Sequence, residues 1–422
     1  MTPSTKMTPL IRFSGFTEAW EQRKIGDRMF IKSRIGWQQL TKDEYLDFGD
    51  YYLITGTDIT QNHRIDYKTC HFVSKRRYEM DLNIQLRNGD IVLTKDGTIG
   101  KVAIIDSLDK PATLNSHLFL LRNQDRLLDS HFLFHILDSH LFSRFVENTE
   151  TGSTLTGLPQ KTFLQFSYLA PSLAEQRKVS GLIDECDAVI VLHQRKLDQL
   201  KALKKSLLQK MFPADGEDTP RIRFAGFTEA WEQRKLGEIG VVIDPHPSHR
   251  APKEVKGGIP FIGIGDVDES GNINRDSARP VDPSVFEEHH RRYDLSIPSL
   301  GLGRVASLGK VIKLRNDIGK YAVSPTMSVL QFKTGFDVEY LYAFMNSPQF
   351  QKQFDGKSNG STRQSVGTET VRILDIFLPK ELAEQTLLGD FFAELGSSIV
   401  LQQSKLDKLK DLKKSLLQQM FI

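Results

Sequence analysis

RFSGFTEAWEQRKIG at Arg12–Gly26 returns as RFAGFTEAWEQRKLG at Arg223–Gly237, and KLDQLKALKKSLLQKMF at Lys196–Phe212 returns as KLDKLKDLKKSLLQQMF at Lys405–Phe421. The first pair differs only at Ser14/Ala225 and Ile25/Leu236, the second only at Gln199/Lys408, Ala202/Asp411 and Lys210/Gln419. The offset is 211 residues at the first anchor and 209 at the second, so the stretches between are nearly equal in length and a duplicated architecture accounts for both. Between the anchors the halves diverge. Two similar frames with different fillings imply one kind of task performed twice, on two targets.

Each half closes with a helical pattern. From about Leu173 to Phe212 glycine occurs only at Gly181 and proline not at all, while Leu197, Leu200, Leu203, Leu207 and Met211 recur at three- and four-residue steps. Leu406, Leu409, Leu412, Leu416 and Met420 repeat the stripe, with Lys201, Lys204, Lys205, Lys410, Lys413 and Lys414 between its positions. A helix this long cannot bury one apolar face alone, so the copies are expected to pair, parallel or antiparallel, while the lysines read first as a solvated face. Ser172, following Pro171 and with Glu175 three residues on, has capping-box spacing; the second copy has Glu381 in place of the serine, which leaves a charge–dipole contribution. A polar Pro/Gly linker, Pro213–Pro220, separates the halves, and its Thr219-Pro220 matches Thr8-Pro9.

The segments before the helices read as short strands and turns with a few helices. Asp90–Leu93 and Gly100–Ile105 flank the turn residues Asp96-Gly97, and Val311–Leu314 follows the same plan. Ile54–Asp58 aligns with Ile262–Asp266, and Gly100-Lys101-Val102 with Gly309-Lys310-Val311; helical periodicity appears late in each segment, at His131–Val146 and Glu339–Phe354. The expected fold class is α+β, with two similar domains on one scaffold, each tied to one long helix.

Composition sets mild limits. With 422 residues, 39% apolar, the chain can bury more than one core, and a net charge of +3 neither demands nor excludes nucleic acid. No apolar run approaches the ~20 residues that span a bilayer, and Met1–Lys6 lacks a signal-peptide stretch, so a cytoplasmic location with no membrane is expected. Cys70 and Cys186 form neither metal spacing nor a disulfide framework and read as small buried side chains.

Catalytic motifs are weak or missing. Phe261-Ile262-Gly263-Ile264-Gly265 spells a methyltransferase-like glycine motif, but no Asn-Pro-Pro-aromatic string accompanies it, and the aligned Ile54–Asp58 favours a shared strand and turn. The acidic-x-lysine strings at Asp66, Glu254 and Asp355 have no counterpart in the other half, there is no P-loop, and His63 and His289-His290 lack partners at metal spacing. No metal site and no catalytic residue is therefore expected.

Basic clusters remain. Lys75-Arg76-Arg77 and Arg291-Arg292 each precede the strand–turn–strand unit that carries Lys95, Thr98 and Lys101 in the first half and Arg304, Ser307 and Lys310 in the second. Arginine forks onto guanine edges or phosphates and lysine adds charge; such clusters also make ordinary solvated turns, and their recurrence in both halves favours DNA. Ser153-Thr154 and Ser361-Thr362-Arg363-Gln364, each after a glycine, are further candidates for base or phosphate hydrogen bonds.

FTEAWEQRK at a domain start, a GTIGKV-like strand turn, Leu-Ala-Glu-Gln at Leu173–Gln176 and Leu382–Gln385, and KLDxLKxLKKSLLQxMF, all occurring twice, resemble the specificity subunit of type I restriction–modification systems. That resemblance implies target recognition domains at 1–172 and 221–380, each reading half of a split double-stranded DNA sequence. Spacer helices at 173–212 and 381–422, either side of the linker 213–220, would form an antiparallel coiled-coil pair with pseudo-twofold symmetry. It further implies a non-catalytic chain without cofactor, partnered by two methyltransferase subunits and by restriction–motor subunits, to which S-adenosylmethionine, ATP and Mg belong. A stiff helix of about 30 residues, roughly 45 Å, matches one to one-and-a-half turns of DNA and would serve as a ruler. The competing classes are a stand-alone methyltransferase or nuclease, and a protein scaffold without DNA contact.

Overall fold

The computed structural model describes residues 8–36, 39–60, 62–150, 157–245, 252–268, 271–305, 307–357 and 365–422. In the first half, strands β1 (Glu21–Lys24), β2 (Met29–Lys32), β3 (Tyr52–Ile54) and β4 (His71–Phe72) lead to helix α1 (Lys75–Glu79). Strands β5 (Ile91–Thr94), β6 (Val102–Ile104), β7 (Ala112–Leu114) and β8 (Leu118–Asn123) follow, then α2 (Ser130–Asp138), α3 (His140–Glu150), α4 (Gln160–Phe163), β9 (Ser167–Ala170) and the long α5 (Leu173–Lys210). The second half repeats the order with β10 (Glu232–Lys235), α6 (Leu236–Ile239), β11 (Gly240–Ile243), β12 (Glu254–Ile262), β13 (Arg279–Val281), α7 (Pro283–His289) and β14 (Ser299–Gly303). It ends with β15 (Val311–Leu314), β16 (Ala322–Val323), β17 (Met327–Phe332), α8 (Val338–Met345), α9 (Pro348–Asp355), α10 (Thr368–Arg372), β18 (Asp375–Leu378) and α11 (Leu382–Met420).

The sheets match pair by pair. The first half has a four-stranded sheet β2-β8-β5-β6, a three-stranded sheet β4-β3-β7 and a ribbon β1-β9; the second has β11-β17-β14-β15, β13-β12-β16 and β10-β18. Every residue of β5, Ile91-Val92-Leu93-Thr94, is buried, which suits a strand covered on both faces. The helical stretches late in each segment break in two where a serine interrupts them: after Asp138 the chain turns at buried Ser139, and Ser347 caps α9, accepting the Phe350 N–H at 3.3 Å with Pro348 in the first turn.

The repeated anchors hold each domain to its helix. Glu175, expected in a capping box, takes Arg12 with both carboxylate oxygens at 2.7 and 2.8 Å, and Glu384 takes Arg223 at the same distances. Glu175 and Glu384 are each 1% exposed, so losing either arginine would strand a buried carboxylate, at a cost of about 3–5 kcal/mol. The next residue fixes the domain's own helix: Gln176 accepts the Asp129 N–H at 2.9 Å, and Gln385 the Asp337 N–H at 3.2 Å. Those aspartates cap α2 and α8, accepting the N–H of Phe132 and Tyr340.

The linker 213–220 divides the sequence, but compact packing divides the chain elsewhere, inside both long helices. One unit comprises residues 1–194 and 406–422, the other 195–405. In the first unit Asp187 meets Lys413 at 2.8 Å, while Ile11, next to the Arg12 that binds Glu175, donates to the Gln419 carbonyl at 3.2 Å, so the segments of α5 and α11 run antiparallel. The second unit repeats this: Phe212 stacks on Phe392 at 5.6 Å and Ile222 donates to the Lys210 carbonyl at 2.9 Å. Leu417, Met420 and Phe421 thus join the core of the first domain, and Leu208, Met211 and Phe212 that of the second.

The leucine stripe is accordingly not a uniform seam. Leu197, Leu406, Met211 and Met420 are buried and Leu200, Leu207, Leu409 and Leu416 half-buried, but Leu203 and its counterpart Leu412 are 48% and 51% exposed. Leu208 and Leu417 are buried instead, because the last turns of each helix also face a domain core. Cys70 is buried and Cys186 half-buried. Among the described residues no helix is long and apolar enough to cross a membrane.

Candidate nucleic-acid interface

At one end of each domain three backbone segments converge in the same way. The turn after β3 is closed by Asp58, whose Oδ2 accepts the Thr55 N–H at 2.7 Å; after β12, Asp266 accepts the Gly263 N–H at 2.8 Å. The second aspartate oxygen is also spent, on Thr69 in the first domain and Ser277 in the second. The methyltransferase-like glycine string is therefore the end of a strand and a capped turn.

The hairpin between β5 and β6 forms the second segment, and that between β14 and β15 is its counterpart. Gly100 and Gly309 adopt φ of 91° and 75°, and each donates its N–H back across the turn, to Thr94 and Gly303 at 3.0 and 2.9 Å. The third segment precedes β8 or β17: Lys95 donates to the His117 carbonyl and Arg304 to the Thr326 carbonyl, both at 2.9 Å. Leu158 and Val366 complete the frame by donating to the carbonyls of Lys95 and Arg304, at 2.6 and 3.0 Å.

On this common backbone the side chains differ. In the first unit a cavity of about 360 Å³ is lined by Thr57, His71, Asp96, Thr98, Lys101 and His117, among others. Thr98 and Lys101 are exposed there, and the Lys95 ammonium lies 5.4 Å from the Phe119 ring centre. In the second unit Ser307 is exposed, but Lys310 donates to the carbonyls of Ile264 and Val267 at 2.9 and 3.3 Å, and Arg304 pairs with Asp244 at 2.5 Å. Lys101 and Lys310 thus share a backbone position and differ in side-chain direction: Lys310 is drawn inward by two carbonyl acceptors.

The arginine clusters are likewise divided. Lys75 is exposed beside Glu79, and Arg76 is exposed, but Arg77 grips Glu44 with two bonds of 2.5 Å. That grip, aided by the Thr41 N–H, holds the Glu44 carboxyl down at about 2, and ties the Arg77 guanidinium to the domain. Arg291 and Arg292 are exposed, with Arg292 donating to the Asp244 carbonyl at 3.3 Å. Ser153, Thr154, Ser361, Thr362, Arg363 and Gln364 lie outside the described residues. His289 is fully buried at the end of α7, its ring 6.3 Å from that of Phe261.

Asp96, His117, Thr57 and His71 were not among the candidates. Their signal was present as contrast: Asp96 and His117 align with Val305 and Thr326, a change of chemistry at a place where the backbone is shared. The lysines of the repeated helix ends form a second paired feature. Lys410, Lys413, Lys414 and Leu417 line a groove of about 470 Å³ with Ser139 and Ser143; their counterparts Lys201, Lys204, Lys205 and Leu208 line one of about 370 Å³ with Pro348 and Gln351.

Comparison with known proteins gives a consistent picture. Residues 17–202 and 228–411 both match the family described as type I restriction modification DNA specificity domain. The chain is 23% identical over 413 residues, 95% of its length and 91% of the relative's, to the type I restriction enzyme MjaVIII specificity subunit of Methanocaldococcus jannaschii. It is 25% identical over 230 residues to the MjaIX specificity subunit of the same organism, covering 52% of this chain and 51% of that one. In fold it resembles the S subunit of a type I restriction-modification system from M. genitalium, with a TM-score of 0.58 at 14% identity over 99% of both chains. A chain from a structural study of type I R-M complex assembly gives 0.53 at 16% identity, over 94% of this chain and 96% of the other.

Proposed function

We propose that this chain, which belongs to the type I restriction modification DNA specificity family, reads a bipartite DNA target for a restriction–modification complex. Each domain reads one half-site through its converging hairpin and turns. The observation that carries this is the shared backbone frame with unlike side chains, Asp96 and His117 against Val305 and Thr326, since a protein that must recognise two different half-sites with one docking geometry changes its side chains and keeps its frame. Lys95, Lys101, Arg76 and Arg291 supply phosphate contacts, which position the domain without selecting sequence.

The long helices set the number of base pairs between half-sites. Their support is continuity: α5 and α11 run 38 and 39 residues without a break, about 57 Å of helix each. The paired lysine-lined grooves support two copies of a methyltransferase subunit, each entering with an acidic, partly apolar segment. Chemistry belongs to the partners: S-adenosylmethionine to the methyltransferase subunits, ATP and Mg to restriction–motor subunits, and the assembly works in the cytoplasm.

Methylome sequencing of cells expressing the chain with its partner subunits tests the reading. A split motif with a fixed gap is expected, and inserting residues between Leu192 and Leu203 changes the gap while both half-sites persist. A continuous motif, or methyl transfer by the isolated chain, would overturn it.

A further inference from the structure

The cavity at the tip of the first domain contains a carboxylate that the fold does not consume. Asp58, nearby, spends both oxygens inside its own turn. Asn115 accepts the His117 N–H at 3.1 Å, and the hydroxyls of Thr55 and Thr57 meet at 2.7 Å. Asp96 is different. Its Oδ2 lies 3.2 Å from Nδ1 of His117, the aspartate is 36% and the histidine 55% exposed, and a carboxylate with one such partner keeps acceptor capacity toward the cavity.

The position is built rather than incidental. Asp96 bridges to Gly157, where a Cβ would fall 2.1 Å from Asp96 Oδ1, so any larger residue there would displace this carboxylate. The matching bridge of the second unit joins Val305 to Ser365, and the same backbone there carries an apolar side chain. A carboxylate directed at DNA is repelled by the phosphates, and is compensated only where it takes a hydrogen bond from a base. The major-groove base edges that can give one to an acceptor-only group are those with an exocyclic amino group, cytosine and adenine.

We propose that Asp96 determines one base of the half-site read by the first unit, accepting a hydrogen bond from cytosine N4 or adenine N6, with His117 as the positioning residue that orients the carboxylate. This rests on the DNA-reading assignment above and adds to it a residue, a chemistry and a half. Lys95 and Lys101, on either side of the turn, offset the repulsion through phosphate.

The test uses the chain assembled with its partner subunits and a library of randomised DNA duplexes, from which bound molecules are sequenced. Wild type enriches a split motif with cytosine or adenine fixed at one position of one half-site, and the motif itself says which. Asp96→Ala lowers the preference at that position about tenfold, keeps every other position, and leaves binding to unrelated duplexes equal or stronger because a negative charge is gone. His117→Ala relaxes the same position, and Val305→Ala changes only the other half-site. A split motif that Asp96→Ala leaves intact overturns the proposal and spares the reading beneath it. Loss of the whole half-site together with a lowered Tm also overturns it, by making Asp96 a structural residue. Absence of any split motif from wild type overturns both.

Discussion

The two domains dock on equivalent helix segments by different physics. In the first unit the joint is ionic: His131 Nδ1 and His135 Nε2 each lie 2.9 Å from the two oxygens of Asp184, and Lys413 reaches Asp187 at 2.8 Å and Asp138 at 3.2 Å, which also meets His63. At the repeat-equivalent places the second unit has Glu339 for His131, Ala343 for His135, Asn346 for Asp138, Ala393 for Asp184 and Gly396 for Asp187. Its joint is aromatic: Phe212 lies 5.4 Å from Phe344, 5.6 Å from Phe392 and 5.8 Å from Tyr340. One geometry is thus satisfied by charge pairing or by dispersion, and only the first responds to pH.

The sharpest way to separate them is Phe212→Ala. With Phe212 1% exposed at the centre of four rings, the change should destabilise the second unit by about 3–5 kcal/mol in denaturant melts. Phe421→Ala should cost less, toward 3 kcal/mol, because among the described residues only Phe132 faces that ring, at 5.4 Å; equal losses would erase the contrast. Next comes Lys413→Met, which strands two carboxylates beside an 11%-exposed site and should cost the first unit about 3 kcal/mol, with partial recovery in Asp187→Asn/Lys413→Met. An unchanged melt would show that the ionic joint is ornamental.

The smallest effect is the pH response. Burial works to raise the Asp184 pKa, but the hydrogen bonds from His131 and His135 overcome it and hold the carboxyl below its ordinary range. The same bond to Asp184 raises His131 against the opposing effect of burial. His131 therefore stabilises fully below its unfolded value near 6.5 and loses that contribution as pH rises through its folded value; Asp184 stabilises above about 4 and loses its contribution as pH falls. Hydrogen exchange followed from about pH 6 to 8, corrected for intrinsic rates, should show protection falling at 130–138 and 180–190 while 338–345 holds steady. Parallel behaviour in both segments would break the comparison.

Much of this was legible in the chain. Anchors repeated at a near-constant offset gave two domains of one plan, and the glycines and aspartates of Ile54–Asp58 and Ile262–Asp266 marked a shared turn that the Asp58 and Asp266 caps explain. What escaped reading depends on distance along the chain. Lys101 and Lys310 look alike until the Ile264 and Val267 carbonyls, more than forty residues away, claim one of them. Asp184 looks like an ordinary polar residue of a helix until His131 and His135 arrive from another element. Glu175 fits a local cap by spacing, yet its partner Arg12 is 163 residues distant.

Because Leu417, Met420 and Phe421 belong to the core around Trp20, the first of the two domains to leave the ribosome cannot close until the C-terminal turns of α11 have been translated. The second, by contrast, has Met211 and Phe212 waiting before its own strands are made. A message cut short would therefore yield a polypeptide with one finished reader and one gaping hydrophobic socket, a product marked for proteolysis before it could direct modification to half a target.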